Sequence, residues 1–210
     1  MNYLRTLIIT SSVLTLASCG SSKKVATTPV SDAVKVAQDL KAAGYQVTGG
    51  MSTFSMESLL QRHNDIVLSD MDRYIPVEGS SEGAGLGDLS SAKLVALNDA
   101  ALQYATKAGS SVEGGIETAF DNLGPETRRK LVGAYTQKVR EMILPSMKES
   151  LSVYRIVSKE YQVRTFCIID EQQAVVSREK AMQESLKDLA LDDIAAGVIN
   201  DLVKKIVKGE

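Results

Sequence analysis

The chain has 210 residues, of which 44% are hydrophobic, 24% charged and 5% aromatic, and its formal net charge is −2 at pH 7. So high a hydrophobic share at so low a net charge excludes an intrinsically disordered chain. The near-neutral charge supplies no electrostatic footprint for nucleic acid, so we expect no nucleic-acid partner. Two cysteines are too few for a disulfide scaffold, which leaves an ordinary globular protein of one domain or two small ones.

The first 18 residues have the organisation of a secretory signal peptide. Arg5 is the only charged residue before Lys23, and an apolar run from about residue 7 to residue 16 follows it. A positively charged start and a short apolar stretch are typical of a leader that is removed from the mature protein. The run is shorter than the ~20 apolar residues that a membrane-spanning helix requires.

The leader ends in Leu16-Ala17-Ser18-Cys19, which resembles the lipobox of bacterial lipoproteins. A lipobox is a branched apolar residue, two small residues and a cysteine, and the resemblance implies cleavage between Ser18 and Cys19. It also implies that the Cys19 thiol carries a diacylglycerol thioether and that the freed amine gains a further acyl chain such as palmitate. Two or more chains anchor a protein stably where one does not. The alternative is a plain secreted protein in which this cysteine stands by chance.

The mature chain is predicted to begin with a tether. Residues 19–30 comprise the lipidated cysteine and a small, polar segment, and a single domain is expected over residues 31–208. In lipoprotein sorting, Gly20 in place of an aspartate favours the outer membrane. Lys23 and Lys24, in place of acidic residues, favour the periplasmic face, with the cell surface as the alternative.

Hydrophobic periodicity predicts the elements that follow the tether. We expect a helix over residues 31–43, a short strand over 45–48 and a second helix over 52–69. The second helix is expected to be capped by Ser52 with Ser55 or by Ser55 with Ser58. Residues 74–77 are expected to form an edge strand, because Pro76 has no N–H to donate to a ladder. Residues 79–91 are rich in glycine and serine and predict a polar loop.

The second half is predicted to contain two helices, over residues 90–108 and 125–144, with a short strand between them. Alternating Val112, Gly114 and Ile116 favour that strand, and Gly109 is expected to end the preceding helix.

The last part of the chain begins with the clearest strand signal. Residues 151–170 alternate in polarity and predict an antiparallel hairpin. A mostly polar helix over 171–188 and a strongly amphipathic one over 191–206 follow. The apolar stripe of the last helix is expected to pack on the sheet, with a partner or self-association helix as the alternative.

The order of these elements predicts an α+β domain, with a mixed or antiparallel sheet that carries the hairpin in its C-terminal half and is covered by several helices on one side. From Lys93 onward, an Ala-rich helix, a strand entered through Gly109-Ser110-Ser111-Val112, a helix and a hairpin ending at Ile169-Asp170 resemble the twenty-kilodalton LPP-type outer-membrane lipoproteins. The resemblance covers less than half of the mature chain and rests on patterns of residue type. It implies a lipid-anchored envelope domain, and no functional residues carry over.

Two serine motifs point to catalysis, but neither is complete. Gly79-Ser80-Ser81-Glu82-Gly83 matches G-x-S-x-G, yet the only histidine, His63, lies upstream, whereas a nucleophile elbow has its histidine downstream. Ser90-Ser91-Ala92-Lys93 matches S-x-x-K at a helix start, without the S-D-N and K-T-G motifs of penicillin-binding enzymes.

A third motif echoes a dinucleotide-binding loop. Gly83, Gly85 and Gly87 are similar to the glycines of such a loop, but the third glycine of G-x-G-x-x-G would fall at Asp88, whose charge would repel a pyrophosphate. We expect a loop in which Asp88 or Ser90 caps the following helix.

His63 and Cys167 remain as candidates for metal chemistry. Two ligands are too few for a closed zinc site, so we predict no metal centre and no cofactor. His63 is expected to be solvated or hydrogen-bonded. Cys167 is expected to be an inert buried thiol on the same strand face as Val163 and Ile169.

Two acidic pairs complete the candidates. Asp70 with Asp72 is interpreted as a loop pair, and Asp192 with Asp193 as a helix N-terminus that complements the helix dipole.

These observations predict a non-enzymatic, lipid-anchored cell-envelope protein with a structural or interaction role. Its expected partners are the membrane, through Cys19, and another envelope protein or a second copy of the chain. One alternative is an envelope serine hydrolase that acts on cell-wall or ester substrates through Ser81 or Ser90. The other is a carrier that holds a small apolar ligand between the helices and the sheet.

Overall fold

The computed structural model describes residues 32–51, 53–119 and 123–191. The leader, Cys19, the tether, Asp192 with Asp193 and the amphipathic segment after Leu191 lie outside the described residues, so the predictions for them are not tested. The helices are α1 (Ala33–Ala42), α2 (Met56–Ser69), α3 (Leu89–Ala119), α4 (Pro125–Ile143) and α5 (Glu171–Asp188). The strands are β1 (Gln46–Val47), β2 (Tyr74–Ser80), β3 (Lys148–Val157) and β4 (Glu160–Asp170).

Side-chain caps set where the first two helices begin. The Asp32 carboxylate accepts hydrogen bonds from the backbone N–H groups of Val34 and Lys35, which starts α1 where the sequence predicts it. The Ser55 hydroxyl accepts from the N–H of Ser58, which confirms the second of the two predicted caps and starts α2 at Met56. The predicted helix over 171–188 is confirmed as α5.

The four strands form one antiparallel sheet in the order β1-β3-β4-β2, which confirms the α+β class and the antiparallel alternative. The β3–β4 hairpin turns through Ser158 and Lys159, both at positive φ, as a two-residue hairpin loop requires. The prediction of an edge strand at Pro76 is confirmed, because among the described strands β2 pairs only with β4.

Helices cover both faces of the sheet, so the expectation of a single covered side is wrong. On one face, Cys167 and Ile169 of β4 pack in a core with α3, α4 and α5. On the other face, Phe166 packs in a second core with α1 and α2. Residues 166–169 are all buried, because β4 is a central strand whose alternating side chains meet helices on either side.

The helix α3 continues through Gly109, so the predicted helix end and the predicted strand at Val112, Gly114 and Ile116 are wrong. Val112 and Ile116 match a strand period of two, but they also follow Ala108 at intervals of four, and all three are fully buried along one side of α3. This strand was one of the patterns behind the family resemblance.

Glycine at position 109 instead permits close helix packing. A Cβ atom there would lie 2.3 Å from Oγ1 of Thr136 on α4. The helix α4 occupies the predicted position and buries Leu131, Tyr135 and Val139.

A second close approach brings α3 onto β2. A Cβ atom on Gly79 would lie 1.9 Å from the carbonyl oxygen of Ala96 and 2.5 Å from the backbone nitrogen of Ala100. Ala92, Ala96 and Ala100 are fully buried, so small residues on both elements let helix and strand pack backbone to backbone.

Candidate functional site

A pocket of about 380 Å³ lies between α2 and the sheet, on the face covered by α1 and α2. We call it the His63 pocket. Four of its lining residues, Leu59, Arg62, His63 and Ile66, follow one another on α2 at the i, i+3, i+4 and i+7 positions of one helix face. Its volume falls in the range of small-molecule sites, which is about 300–1,000 Å³.

A β-bulge shapes the opposite wall. The pairing of β3 with β4 shifts between Glu149 and Leu151, so Ser150 is an extra residue in the ladder. Bulges redirect neighbouring side chains and are common next to binding sites. Lys148, Glu149 and Ser150 all line the His63 pocket, whereas Leu151 turns into the core.

His63 is the buried polar group of this pocket. It is only 6% exposed, and its ring makes an edge-to-face contact with Phe166 at a centroid distance of 6.2 Å. Its Nδ1 atom is buried and has no hydrogen-bond partner in the part of the chain that the structure describes, so at this nitrogen the ring is neither solvated nor hydrogen-bonded. Burial lowers the pKa of His63, and the ring is therefore neutral at pH 7.

Two of the residues that line the pocket are acidic, and each is paired with a cation. The Glu149 carboxylate forms an ion pair with Lys93 of α3 at 2.8 Å and therefore lies on the side of the sheet away from His63, whereas Asp170 pairs with Arg73 at 2.9 Å beside the pocket. The hydrogen bond from Arg73 holds the pKa of Asp170 below its usual range. Asp170 is therefore charged at pH 7, with the Arg73 guanidinium beside it.

The two cations of the pocket are not paired in this way. Arg62 and Lys148 are exposed at its margin. Neither forms an ion pair or a side-chain hydrogen bond with another residue in the part of the chain that the structure describes. The pocket therefore combines positive charge at its margin with apolar side chains and a buried imidazole.

Ser81 has a structural role, because it is hydrogen-bonded to the backbone of the sheet. Its Oγ accepts a hydrogen bond from the backbone N–H of Val163 at 2.9 Å, and its own N–H donates to the Val163 carbonyl at 2.9 Å. These bonds extend the β2–β4 ladder by one residue and bury Ser81. His63 lies on the opposite face of the sheet, so the structure does not bring this serine and histidine together.

The S-x-x-K and glycine motifs also form ordinary local structure. Ser90 is exposed in the first turn of α3, and Lys93 is engaged with Glu149. The Asp88 carboxylate accepts from the N–H of Ser91 at 2.8 Å, which confirms Asp88 as the helix cap. That hydrogen bond lowers the pKa of Asp88.

Cys167 is a buried thiol on the face it shares with Val163 and Ile169, as predicted. Burial raises its pKa to about 11, so the reactive thiolate is scarce at neutral pH. Within residues 32–51, 53–119 and 123–191, no group of three or more His, Cys, Asp or Glu residues is placed to hold a metal ion.

A buried ionic cluster, which the sequence analysis missed, lies in the core beneath α3, α4 and α5. Arg178 pairs with Glu171 at 2.6 Å, and the Tyr104 hydroxyl contacts both side chains. The hydroxyl of Tyr135 is buried nearby and has no hydrogen-bond partner among the described residues. Burial raises the pKa of both tyrosines.

The sequence contains a signal for the buried Glu171–Arg178 pair and another for the buried His63. Glu171 and Arg178 stand seven residues apart on α5, in line with the buried Ala174 and Ala181. His63 stands four residues from both Leu59 and Val67 on the buried side of α2. A polar residue in a helix's apolar stripe is a sign of a buried polar group, which needs an explanation.

No known protein family matches the chain, and no curated protein or solved structure is significantly similar to it. Among the helices of the described ranges, none combines the length and the hydrophobicity needed to cross a membrane.

Proposed function

We propose that this protein is a non-enzymatic, lipid-anchored component of a bacterial cell envelope, held at the outer membrane and facing the periplasm. The observation that carries the proposal is Leu16-Ala17-Ser18-Cys19 at the end of a short apolar leader. The anchor then holds the domain at the membrane, where it binds another component of the cell envelope. The candidate nucleophiles support a binding role over a catalytic one, because Ser81 is bonded to backbone and Cys167 is buried with a raised pKa.

The anchor is tested by replacing each cysteine in turn. Cys19→Ser should abolish labelling by radioactive palmitate and move the protein from the membrane to the soluble fraction. The matched control is Cys167→Ala, which removes the other thiol and should leave both labelling and fractionation unchanged. Membrane retention and labelling of the Cys19→Ser variant would overturn the proposal of lipidation.

The second candidate function is carriage of a small ligand, and the His63 pocket favours it. The pocket combines a volume of about 380 Å³ with a buried imidazole whose Nδ1 lacks a partner. Few polar groups in a partly apolar concave site are the usual composition of a ligand pocket. Ile66→Trp should fill the pocket, and loss of a copurified or added ligand in that variant is the measurement that supports carriage.

Serine hydrolysis is the competing activity. It requires Ser81 or Ser90 to be next to a base, and Ser81 is instead bonded to Val163 in the sheet. A saturable ester hydrolysis by the purified protein that disappears in Ser81→Ala or Ser90→Ala would replace the binding proposal with a catalytic one.

A further inference from the structure

We propose that Lys93 of α3 fixes the register in which the first residues of β3 pair with β4, and thereby keeps the carboxylate of Glu149 out of the His63 pocket. The three side chains that hold this register, Lys93, Glu149 and Ser152, are called the register latch. Release of the latch lets residues 148–150 pair one position further along β4 and turns Glu149 toward the pocket. The inference concerns the wall of the pocket and does not depend on what the pocket binds.

Two registers exist for the start of β3. From the hairpin turn back to Leu151, the residues of β3 pair with those of β4 in regular order. A ladder that continued in this order would place Glu149 opposite Ile168. In the structure Glu149 lies opposite Cys167 instead, and Ser150 is an extra residue in the ladder. The bulged register and the regular register therefore differ by one residue.

That difference decides which face of the sheet carries the Glu149 carboxylate. Side chains of a strand alternate between its faces, so a shift of one residue moves a side chain to the other face. Cys167 belongs to the core beneath α3, whereas Ile168 lines the His63 pocket. Glu149 therefore lies on the α3 face in the bulged register, and it would lie on the pocket face in the regular one.

Both oxygens of the Glu149 carboxylate are bound on the α3 face. Nζ of Lys93 lies 2.8 Å from Oε2, and the Ser152 hydroxyl donates to Oε1 at 2.7 Å. The Ser152 hydroxyl also lies 2.8 Å from the hydroxyl of Thr165 on β4. Hydrogen bonds to an ionised group are roughly twice as strong as neutral ones. These contacts exist only in the bulged register, and they compensate for the ladder that a bulge disrupts.

The latch links the surface of α3 to the pocket on the other face of the sheet. Ser152 and Thr165 are fully buried, but the side chain of Lys93 is 35% exposed. An anion that binds Lys93 from outside removes the ion pair that favours the bulge. The carboxylate of Glu149 then faces the pocket and adds a negative charge to its wall.

Nuclear magnetic resonance distinguishes the two registers. In a non-hydrogen-bonded antiparallel pair the Cα atoms are about 4.5 Å apart, so the two Hα atoms give a strong Overhauser contact. The N–H and C=O groups of Val163 point toward Ser81, so Cys167, four residues on, also points away from β3 and forms such a pair. We expect the full chain in detergent micelles to show a contact between Hα of Glu149 and Hα of Cys167. In Lys93→Gln it should be replaced by a contact between Hα of Ser150 and Hα of Cys167.

Two control variants isolate the ion pair of the latch. Lys93→Arg keeps a cation opposite Glu149 and should keep the contact of the unmodified protein. Lys130→Gln breaks an exposed ion pair with Glu126 on α4 and should keep it as well.

Disulfide trapping gives a second measurement, in the full chain with Cys19→Ser and Ser150→Cys. Ser150 lines the His63 pocket in the bulged register, and only the regular register places position 150 opposite Cys167. Oxidation by copper phenanthroline should therefore join positions 150 and 167 about tenfold faster or more when Lys93→Gln is added. Cys167→Ala should abolish the product.

Three outcomes would overturn the inference. A Glu149–Cys167 contact that persists in Lys93→Gln would show that another group holds the register. A Ser150–Cys167 contact that dominates with Lys93 in place would overturn the bulged register itself. Loss of the Glu149–Cys167 contact in Lys130→Gln would show that the register does not depend on the Lys93–Glu149 pair in particular.

Discussion

The two faces of the sheet are built differently. On the face covered by α3, α4 and α5, small residues bring helices and strands into close contact, and the charged groups Glu171 and Arg178 of the core pair with each other. On the face covered by α1 and α2, the larger side chains of α2 and a β-bulge leave the His63 pocket between helix and strand. Close packing stabilises one face, whereas incomplete packing leaves a cavity on the other.

Polar groups show the same contrast. In the closed face, Glu171, Arg178 and the Tyr104 hydroxyl satisfy one another. In the open face, Arg62 and Lys148 lack such partners among the described residues, and Nδ1 of His63 is unpartnered. Partners within the core favour a structural role for the first group, and their absence favours a binding role for the second.

The largest expected effect comes from breaking the ionic cluster of the closed face. Arg178→Met leaves Glu171 buried without its cation and should lower the free energy of unfolding by about 3–5 kcal/mol. Lys180→Met, at an exposed position of the same helix, should change it by less than about 0.5 kcal/mol. Denaturant unfolding measures both, and equal stability of the two variants would contradict a structural role for the cluster.

The next effect comes from the helix–strand approach at Gly79. Gly79→Ala places a methyl group against the backbone of α3 and should cost about 2–4 kcal/mol in the free energy of unfolding. Gly87→Ala is the control, because a Cβ atom there meets nothing within 4 Å. A fall in melting temperature for position 79 alone is the expected result, and similar melting temperatures would show that α3 can move away from β2.

Two tyrosines of the closed face offer a comparison with identical chemistry. Tyr104→Phe removes a hydroxyl that contacts Glu171 and Arg178, and should cost about 1–3 kcal/mol. Tyr135→Phe removes a buried hydroxyl without a partner, and should leave stability unchanged or slightly raise it. Chemical denaturation of both variants checks the difference, and a larger loss at position 135 would reverse the assignment of the cluster's partners.

The smallest effect is a pH dependence from the open face. Burial lowers the pKa of His63 from 6.5 in the folded state, so the unfolded chain binds its proton more readily. The contribution of His63 to stability is complete above about pH 6.5 and is lost as the pH falls toward the folded pKa. Asp170, whose pKa is also lowered, acts only below about pH 4.

His63→Leu should remove that slope between pH 5 and pH 7, because His63 is the only histidine in the chain. Denaturant unfolding at each pH is the measurement. A slope that persists in the variant would mean that another group titrates in this window.

Local signals were sufficient where an element is determined by its own residues. Asp32 caps α1 and Asp88 caps α3, because a carboxylate bonds the first free N–H groups of a helix in any context. Pro76 limited β2 to an edge, and alternation over the hairpin placed β3 beside β4. The α+β class followed from the order of these elements.

Local signals failed where two periods fit the same residues. Val112 and Ile116 satisfy a strand period of two and a helix period of four, and burial against α4 decided for the helix. The helix propensity of glycine predicts a helix end at Gly109. In the fold Gly109 lies inside α3, where the missing side chain lets Thr136 of α4 approach closely. Residues 166–169 show no simple alternation, because β4 is buried on both faces.

The candidate site shows the same division. Ser81, Ser90 and Cys167 were visible in the sequence as chemical groups, but their neighbours decide what they do. His63 became the centre of a pocket only because α2 lies across the β-bulge at Ser150.

The sequence by itself determined the helix caps, the hairpin, the edge strand and the fold class, because these depend on backbone hydrogen bonds and periodicity within a short segment. It also carries the lipobox prediction, since a signal of that kind is read along the chain. Only the tertiary structure decided the length of α3, the coverage of both sheet faces, the buried cluster and the His63 pocket. Those features depend on contacts between residues far apart in the chain, and packing, charge pairing and the exclusion of water act through such contacts.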